Sequence, residues 1–152
     1  MSKILVIDDN RNNLKLLEVL LKRSFRDYEI LTEQSGPEGI EIAKKELPDA
    51  IILDIRMPDM DGYEVCKHLQ SDESTRYIPV LLLTAYQSDS KDVIRGLEFG
   101  ALSFLTKPID NDVLIAHVNV ALRITKAEKA LRESERKIRS LLTERNQAEE
   151  EI

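Results

Sequence analysis

The feature that most constrains the fold is a short apolar run that stops at a carboxylate. The run covers residues 50–53 and ends in Asp54, and Pro58, Asp59 and Gly62 prevent the strand from continuing. A short apolar run bounded by turn residues is typical of a strand buried on both faces. Open parallel sheets bind ligands at the carboxyl ends of their strands. Asp54 is therefore a candidate nucleophile or metal ligand, and the alternative is that it only caps the following helix.

Five such runs alternate with five segments of helical periodicity. The predicted strands cover residues 3–7, 28–32, 50–54, 79–84 and 101–106. This order predicts a doubly wound parallel α/β sheet with right-handed crossovers and helices on both faces. The second run is the least apolar and is expected near an edge. In the helices, the spacing predicts core positions for Leu47, Val93, Ile94 and Leu97.

Composition excludes several classes of function. The net charge of −6 argues against nonspecific binding to nucleic acid or anionic membranes. No apolar run approaches the roughly 18 residues of a membrane span, and we expect a cytoplasmic protein. The lone cysteine, Cys66, cannot form an internal disulfide and is expected to pack in a helix. Glycine-rich nucleotide motifs are absent, and His68 and His117 lack metalloprotease spacing.

Four of the predicted strands are followed or terminated by polar side chains of complementary chemistry: Asp8 and Asp9, Asp54, Thr84, and Lys107. In a parallel sheet these ends lie on one edge. Close carboxylates there would repel one another by about 4 kcal/mol per pair at intermediate dielectric, and Mg²⁺ would offset this repulsion. A lysine and a hydroxyl are suitable partners for phosphoryl oxygens. The set predicts a phosphoryl-transfer site in which Asp54 is the attacking group.

These residues stand in motifs that resemble the response-regulator receiver domain of two-component signalling. The motifs are Ile7-Asp8-Asp9, the segment 53–62, Thr84-Ala85 and the segment 104–108, and the resemblance covers roughly residues 1–124. It implies a flavodoxin-like five-stranded sheet with strand order 2-1-3-4-5. It also implies a histidine kinase or histidine phosphotransfer protein as the phosphodonor partner.

The resemblance further implies a role for each residue of the acidic cluster. Asp54 is the phosphoacceptor. Asp9 and Asp54 ligate Mg²⁺ together with the backbone carbonyl of Arg56, while Asp8 acts mainly through water. A separate expectation comes from position: Arg56 and Tyr86 lie two residues beyond Asp54 and Thr84, and this bulky pair is expected to limit the access of water to the site and so to slow loss of the phosphoryl group.

By the same resemblance, Thr84 and Lys107 contact the phosphoryl oxygens. Phe104 stands where the family places its switch aromatic, and small Ala85 would leave a space that its ring could enter. The alternative for Phe104 is ordinary core packing.

The chain continues from 124 to 152 without proline or glycine. Apolar residues recur with a heptad period at Ile124, Leu131, Ile138 and Ile152, with Arg145 interrupting the row at the same phase. A weaker row follows three residues later, at Ala127, Ser134, Leu141 and Ala148. This pattern predicts that the last helix of a receiver domain (1–123) runs into a parallel two-stranded coiled coil (124–152) that makes a homodimer. The alternative is a solvated single helix. Residues 129–142 resemble linkers that precede PAS or other output domains, and we expect the chain to be a fragment.

The leading functional hypothesis is a phosphoacceptor switch on Asp54, without further enzyme activity, that signals through its C-terminal helix. No direct binding to nucleic acid or membrane is expected. One alternative is a phosphatase of the haloacid-dehalogenase type, which would need a second acid where Arg56 stands. The other is a dimerisation scaffold that works without phosphorylation.

Overall fold

The computed structural model describes residues 2–84 and 90–150. Strands and helices alternate without exception through these residues. The elements are β1 Lys3–Ile7, α1 Arg11–Ser24, β2 Glu29–Glu33, α2 Gly36–Glu46, β3 Ala50–Asp54, α3 Gly62–Ser71, β4 Val80–Thr84, α4 Ser90–Glu98, β5 Ser103–Thr106 and α5 Asn111–Glu150.

All five strands are parallel, in the order β2-β1-β3-β4-β5. The predicted strand order and fold class are therefore confirmed. The central strands β3 and β4 are buried throughout, whereas β2 and β5 form the partly exposed edges. The edge position predicted for β2 is confirmed, and its weaker apolar content follows from facing solvent along one side.

The core has two layers because alternate residues of each central strand point to opposite faces of the sheet. On one face, Leu5, Ile51 and Leu82 pack with residues of α2 and α3. On the other face, Ile4 and Ile52 pack with residues of α1 and α5. Both faces are covered, which is why the strand sequences are continuously apolar rather than alternating.

The helix α4 contacts the sheet differently from the prediction. Ile94 and Leu97 were expected to face the core, yet they are 51% and 47% exposed, and Gly96 is the buried residue of this helix. A Cβ on Gly96 would lie 3.0 Å from Leu82 Cδ1 and 3.1 Å from Phe104 Cδ2. The helix therefore approaches the sheet through its glycine, which turns the large side chains outward.

Leu47 was also predicted to lie in the core, and the structure places it elsewhere. It is the C-cap of α2, with a left-handed φ of 46°, and its side chain is 48% exposed. The helix ends one residue too early for Leu47 to lie on its buried face.

The last helix, α5, is continuous over 40 residues. Its first part packs on the sheet through Leu114, Val118, Ala121 and Leu122, which are all buried. Beyond residue 132 every side chain described is exposed. Ile152, the last residue of the predicted heptad row, lies outside the described residues. Over the described parts of the chain, the structure contains no helix long and apolar enough to cross a membrane.

Candidate functional site

Three carboxylates meet at the carboxyl edge of the sheet. β1 pairs with β3 so that Ile7 lies beside Leu53, and the residues that follow these two are therefore neighbours. Asp8 and Asp54 are buried, and Asp9 is exposed. One oxygen of each carboxylate can be chosen so that all three lie within 4.8 Å of one another. The convergence predicted for these residues is present.

Lys107 and Thr84 complete this edge. β4 pairs with β5 so that Thr84 lies beside Thr106, and the Lys107 backbone N–H donates to the Thr84 carbonyl over 2.6 Å. The Lys107 Nζ atom lies 3.4 Å from Asp8 Oδ2 and 3.9 Å from Asp54 Oδ1. Thr84 is buried at the end of β4. The structure thus brings the predicted cation and hydroxyl residue to the same edge as the carboxylates.

The turn after Asp54 folds back against its own strand. The Ile55 N–H continues the ladder to the Leu83 carbonyl, and the Gly62 N–H donates to the Ile55 carbonyl over 2.8 Å. A Cβ on Gly62 would lie 2.8 Å from the backbone oxygen of Asp54. Only a residue without a side chain permits this approach, so the glycine holds the backbone on which Asp54 is mounted.

Asp8 is positioned by the start of the next helix. The Asn10 N–H donates to Asp8 Oδ1 over 3.0 Å. The Asn10 side chain in turn caps α1 by accepting from the N–H groups of Asn12 and Asn13. The strand-to-helix turn therefore keeps Asp8 directed into the cluster, where it meets Lys107.

Burial of the Asp54 carboxyl raises its pKa to about 6, and the charge of Asp8 adds to this rise while Lys107 opposes it. The three carboxylates therefore repel one another when all of them are ionised. A hard divalent cation fits this donor set, because carboxylate oxygens are its preferred ligands and its charge would offset the repulsion.

Phe104 lies on β5, half-buried between the sheet and α4, with Gly96 against its ring. Arg56 is exposed two residues beyond Asp54. Ala85 and Tyr86 lie outside the described residues, so the proposed space beside Ala85 and the shielding role of Tyr86 stay predictions.

The remaining candidates do not belong to the cluster. The His117 Nδ1 atom is 3.1 Å from Ser103 Oγ, and His68 is exposed on α3. Cys66 is buried, and this burial raises the pKa of its thiol to about 12, consistent with the predicted packing role.

Sequence reasoning missed two features. It did not find the packing of Gly96 against Phe104, although a glycine inside an amphipathic helix is itself a signal of close packing. It also missed a group of contacts between Asp49 and the last helix at Thr125 and Lys129, to which no local pattern points.

Comparison with known proteins places this geometry among characterised folds. The family model for the response regulator receiver domain matches residues 4–119. Response regulator PleD of Caulobacter vibrioides is 45% identical over 134 residues, covering 88% of this chain and 29% of the relative. Response regulator ArlR of Staphylococcus aureus is 34% identical over 81% of this chain and 53% of its own length.

Solved structures of receiver domains share this fold. The signal receiver domain of a signal transduction histidine kinase from Syntrophus aciditrophicus superposes with a TM-score of 0.72 and is 36% identical, covering 81% of this chain and 91% of that one. The chain spans less than a third of the length of PleD and about half that of ArlR. The PleD match, at 134 of 152 residues, necessarily continues beyond residue 119, where the family model ends.

Proposed function

The chain belongs to the response regulator receiver domain family, a family of phosphoacceptor signalling switches, and we propose that it carries the phosphoryl group on Asp54. The observation that carries this proposal is the meeting of Asp54 with Asp8, Asp9 and Lys107 at one sheet edge. Asp54 is the carboxylate of the cluster that lies on the central strand β3, with Lys107 within 3.9 Å.

In the proposed reaction, a carboxylate oxygen of Asp54 attacks the phosphorus atom of a phosphohistidine. A new P–O bond forms as the P–N bond breaks, and the imidazole leaves with the bonding electron pair and takes up a proton. Mg²⁺ would be held by Asp9, Asp54 and the backbone carbonyl of Arg56, with Asp8 acting through water. When bound, it would supply positive charge that balances the carboxylates and the phosphoryl oxygens.

Lys107 and Thr84 are the proposed partners of the phosphoryl oxygens. Lys107 is ion-paired with Asp8 and Asp54 in this structure, and the added phosphoryl charge offers it a stronger acceptor. The hydroxyl of Thr84 can donate a hydrogen bond to the same group. Thr84 ends β4, the strand before α4, and Lys107 follows β5, the strand after it; Phe104 on β5 packs against this helix. The proposed switch is a shift of α4 and Phe104 in response to these new bonds.

The proposed partner is a histidine kinase or histidine phosphotransfer protein. We place the domain boundary near residue 123 and propose that residues 124–152 form a coiled-coil linker to an output domain, through which two copies pair. A cytoplasmic location agrees with this role. Ile124, Leu131, Ile138 and Leu141 support the pairing because each is at least 41% exposed on the helix of a single chain.

The test is labelling with acetyl phosphate and Mg²⁺, followed by intact-protein mass measurement. The wild-type chain should gain the mass of one phosphoryl group, and Asp54→Asn should gain none. Asp59→Asn is the matched control, because Asp59 is an exposed carboxylate in the loop that follows β3, and it should label like the wild type. An unlabelled wild type, or full labelling of Asp54→Asn, would overturn the proposal. Turnover of added phosphoesters would indicate a phosphatase instead.

A further inference from the structure

A group of polar contacts lies at the edge of the sheet opposite the acidic cluster. Asp49 immediately precedes β3 and is 7% exposed. Its backbone N–H donates to the Lys3 carbonyl over 2.7 Å, and its Oδ2 atom accepts from the Lys3 N–H over 2.8 Å. Asp49 is therefore held firmly to the first strand, with its second carboxylate oxygen and its carbonyl left for other donors.

Both of these remaining acceptors bind the last helix. The Thr125 hydroxyl donates to the Asp49 carbonyl over 2.5 Å, and the Lys129 Nζ atom lies 2.5 Å from Asp49 Oδ1. Thr125 is itself only 7% exposed. We call Asp49, Thr125 and Lys129 the helix junction. The contacts join residues 76 and 80 positions apart in the chain.

The last helix also contacts the domain about one turn beyond this junction. The Arg132 guanidinium stacks 4.8 Å above the centre of the Tyr77 ring, which belongs to the segment between α3 and β4. Arg132 is also paired with Glu128 at 3.3 Å. The attachment of α5 to the domain therefore reaches Arg132, past both the family match at residue 119 and the boundary placed near 123.

The junction occupies one face of α5. With about 100° of rotation per residue, Thr125, Lys129 and Arg132 share one face. The heptad residues Ile124 and Leu131 lie about 110–130° around the helix from this face, and the second heptad row, with Ala127 and Ser134, lies on roughly the opposite face. The same two turns of helix can thus hold their own domain and pair with a second copy at once.

We propose that the helix junction sets the direction in which α5 leaves the domain, by holding the first turns of the proposed linker, up to Arg132, against the receiver domain. In a pair of copies, it would hold the two domains on the outer sides of the paired helices. This last consequence rests on the proposed pairing, whereas the junction itself depends on neither pairing nor phosphorylation.

The decisive variant is Lys129→Gln, which removes the ion pair at a side chain that is 56% exposed and therefore leaves folding intact. Backbone hydrogen exchange should accelerate about three- to fivefold over residues 125–132 and stay unchanged over 111–122. Lys137→Gln is the matched control, an exposed lysine on the same helix beyond the contacts, and it should leave exchange unchanged. Asp49→Asn, which keeps an oxygen for the Lys3 N–H, should act like Lys129→Gln.

A distance measurement between two spin labels tests the direction in which α5 leaves the domain. Spin labels at Glu41 and Ser140, both exposed, should give a single distance population in the wild-type background and a broader one in Lys129→Gln. Labelled chains diluted into unlabelled chains keep the distances within one copy. Equal exchange and equal distances in Lys129→Gln and Lys137→Gln would overturn the proposal. Labelling by acetyl phosphate should be unaffected by Lys129→Gln, so an unlabelled wild type would count against the proposed function alone.

Discussion

At the scale of single residues, the site is a compromise between stability and chemistry. The proposed phosphoryl transfer needs Asp54 as an ionised carboxylate, yet Asp54 is 7% exposed beside a second buried acid, Asp8. Burial and this neighbouring charge together raise its pKa to about 6. Lys107 contacts both carboxylates but carries a single charge. The ionised cluster is therefore expected to stabilise the folded chain more when further positive charge, such as a divalent cation, offsets the repulsion.

This predicts a pH dependence in the absence of divalent cations. Between about pH 4 and pH 6 the folded chain keeps a proton on Asp54 that the unfolded chain has released. The unfolding free energy should therefore fall as the pH rises through this window. Asp8→Asn should lower the pKa of Asp54 and raise the unfolding free energy at pH 7 by about 1 kcal/mol. Urea denaturation in EDTA measures both effects.

Asp9→Asn is the control, because Asp9 is exposed and makes the smallest of the contributions to the pKa of Asp54. It should change the metal-free stability less than Asp8→Asn does. Added Mg²⁺ should stabilise the wild type and have little effect on either variant. A metal-free Asp8→Asn chain less stable than the wild type at pH 7 would contradict this account.

At the scale of elements, two glycines decide how the chain packs near the site. Gly62 opens α3 against the backbone of Asp54, and Gly96 places α4 against Leu82 and Phe104. The contacts differ in kind. Around Gly62 the nearest atoms belong to the backbone, whereas around Gly96 they belong to the Leu82 and Phe104 side chains, which can shift more easily than the backbone.

The two positions should therefore respond differently to the same change. Gly62→Ala would place its Cβ 2.8 Å from Asp54 O and from Ile55 Cα, and should destabilise the fold by about 1–3 kcal/mol. In Gly96→Ala, the crowding of Leu82 and Phe104 is offset by a gain in helix propensity of up to about 1 kcal/mol. Its net effect on stability should be small. Chemical denaturation and the rate of acetyl phosphate labelling of both variants provide the comparison.

Gly62→Ala should also slow labelling, because it displaces the backbone that carries Asp54. Gly96→Ala should label at the wild-type rate but alter the ring environment of Phe104, as seen in its NMR shifts. Equal losses of stability in the two variants would show that the surroundings of Gly62 relax as easily as those of Gly96.

At the scale of the whole molecule, α5 joins a packed domain to a long solvated helix. Leu131, Ile138 and Leu141 are 55–65% exposed there, and an isolated helix of this composition is marginal in water. Pairing with a second copy would bury these residues, while the helix junction continues to hold each domain on the opposite face.

Ile138→Asp should therefore weaken dimerisation at least tenfold, because it places a charge in the apolar row. Ser140→Asp introduces the same carboxylate two residues away on an outward position and should leave dimerisation unchanged. Sedimentation over a range of concentrations measures both. A wild type that stays monomeric at every concentration would instead support the solvated single helix.

Much of this molecule was predictable from its sequence because the relevant signals are local. Apolar runs of strand length alternating with helical periodicity dictate the parallel sheet, as the continuous burial of β3 and β4 confirms. The carboxyl ends of parallel strands must share one edge, so the alternation of elements predicted that Asp8, Asp54 and Lys107 lie along it. Their closeness follows from the strand order, which the family resemblance implied and the structure shows. The uninterrupted helix likewise followed from the absence of proline and glycine after residue 123.

Tertiary structure alone decided which face each helix presents and how far along α5 the contacts with the rest of the chain continue. Periodicity locates the apolar stripe of a helix but does not predict how closely the helix packs against the sheet. In α4, the close packing of Gly96 on the sheet leaves Ile94 and Leu97 exposed. The binding of Asp49 to Thr125 and Lys129 joins segments more than 70 residues apart. Such contacts depend on the order of the strands and on the packing of α5 against the sheet. No local sequence pattern around either residue predicts them. The direction of the helix that leaves this domain is for that reason a property of the folded chain.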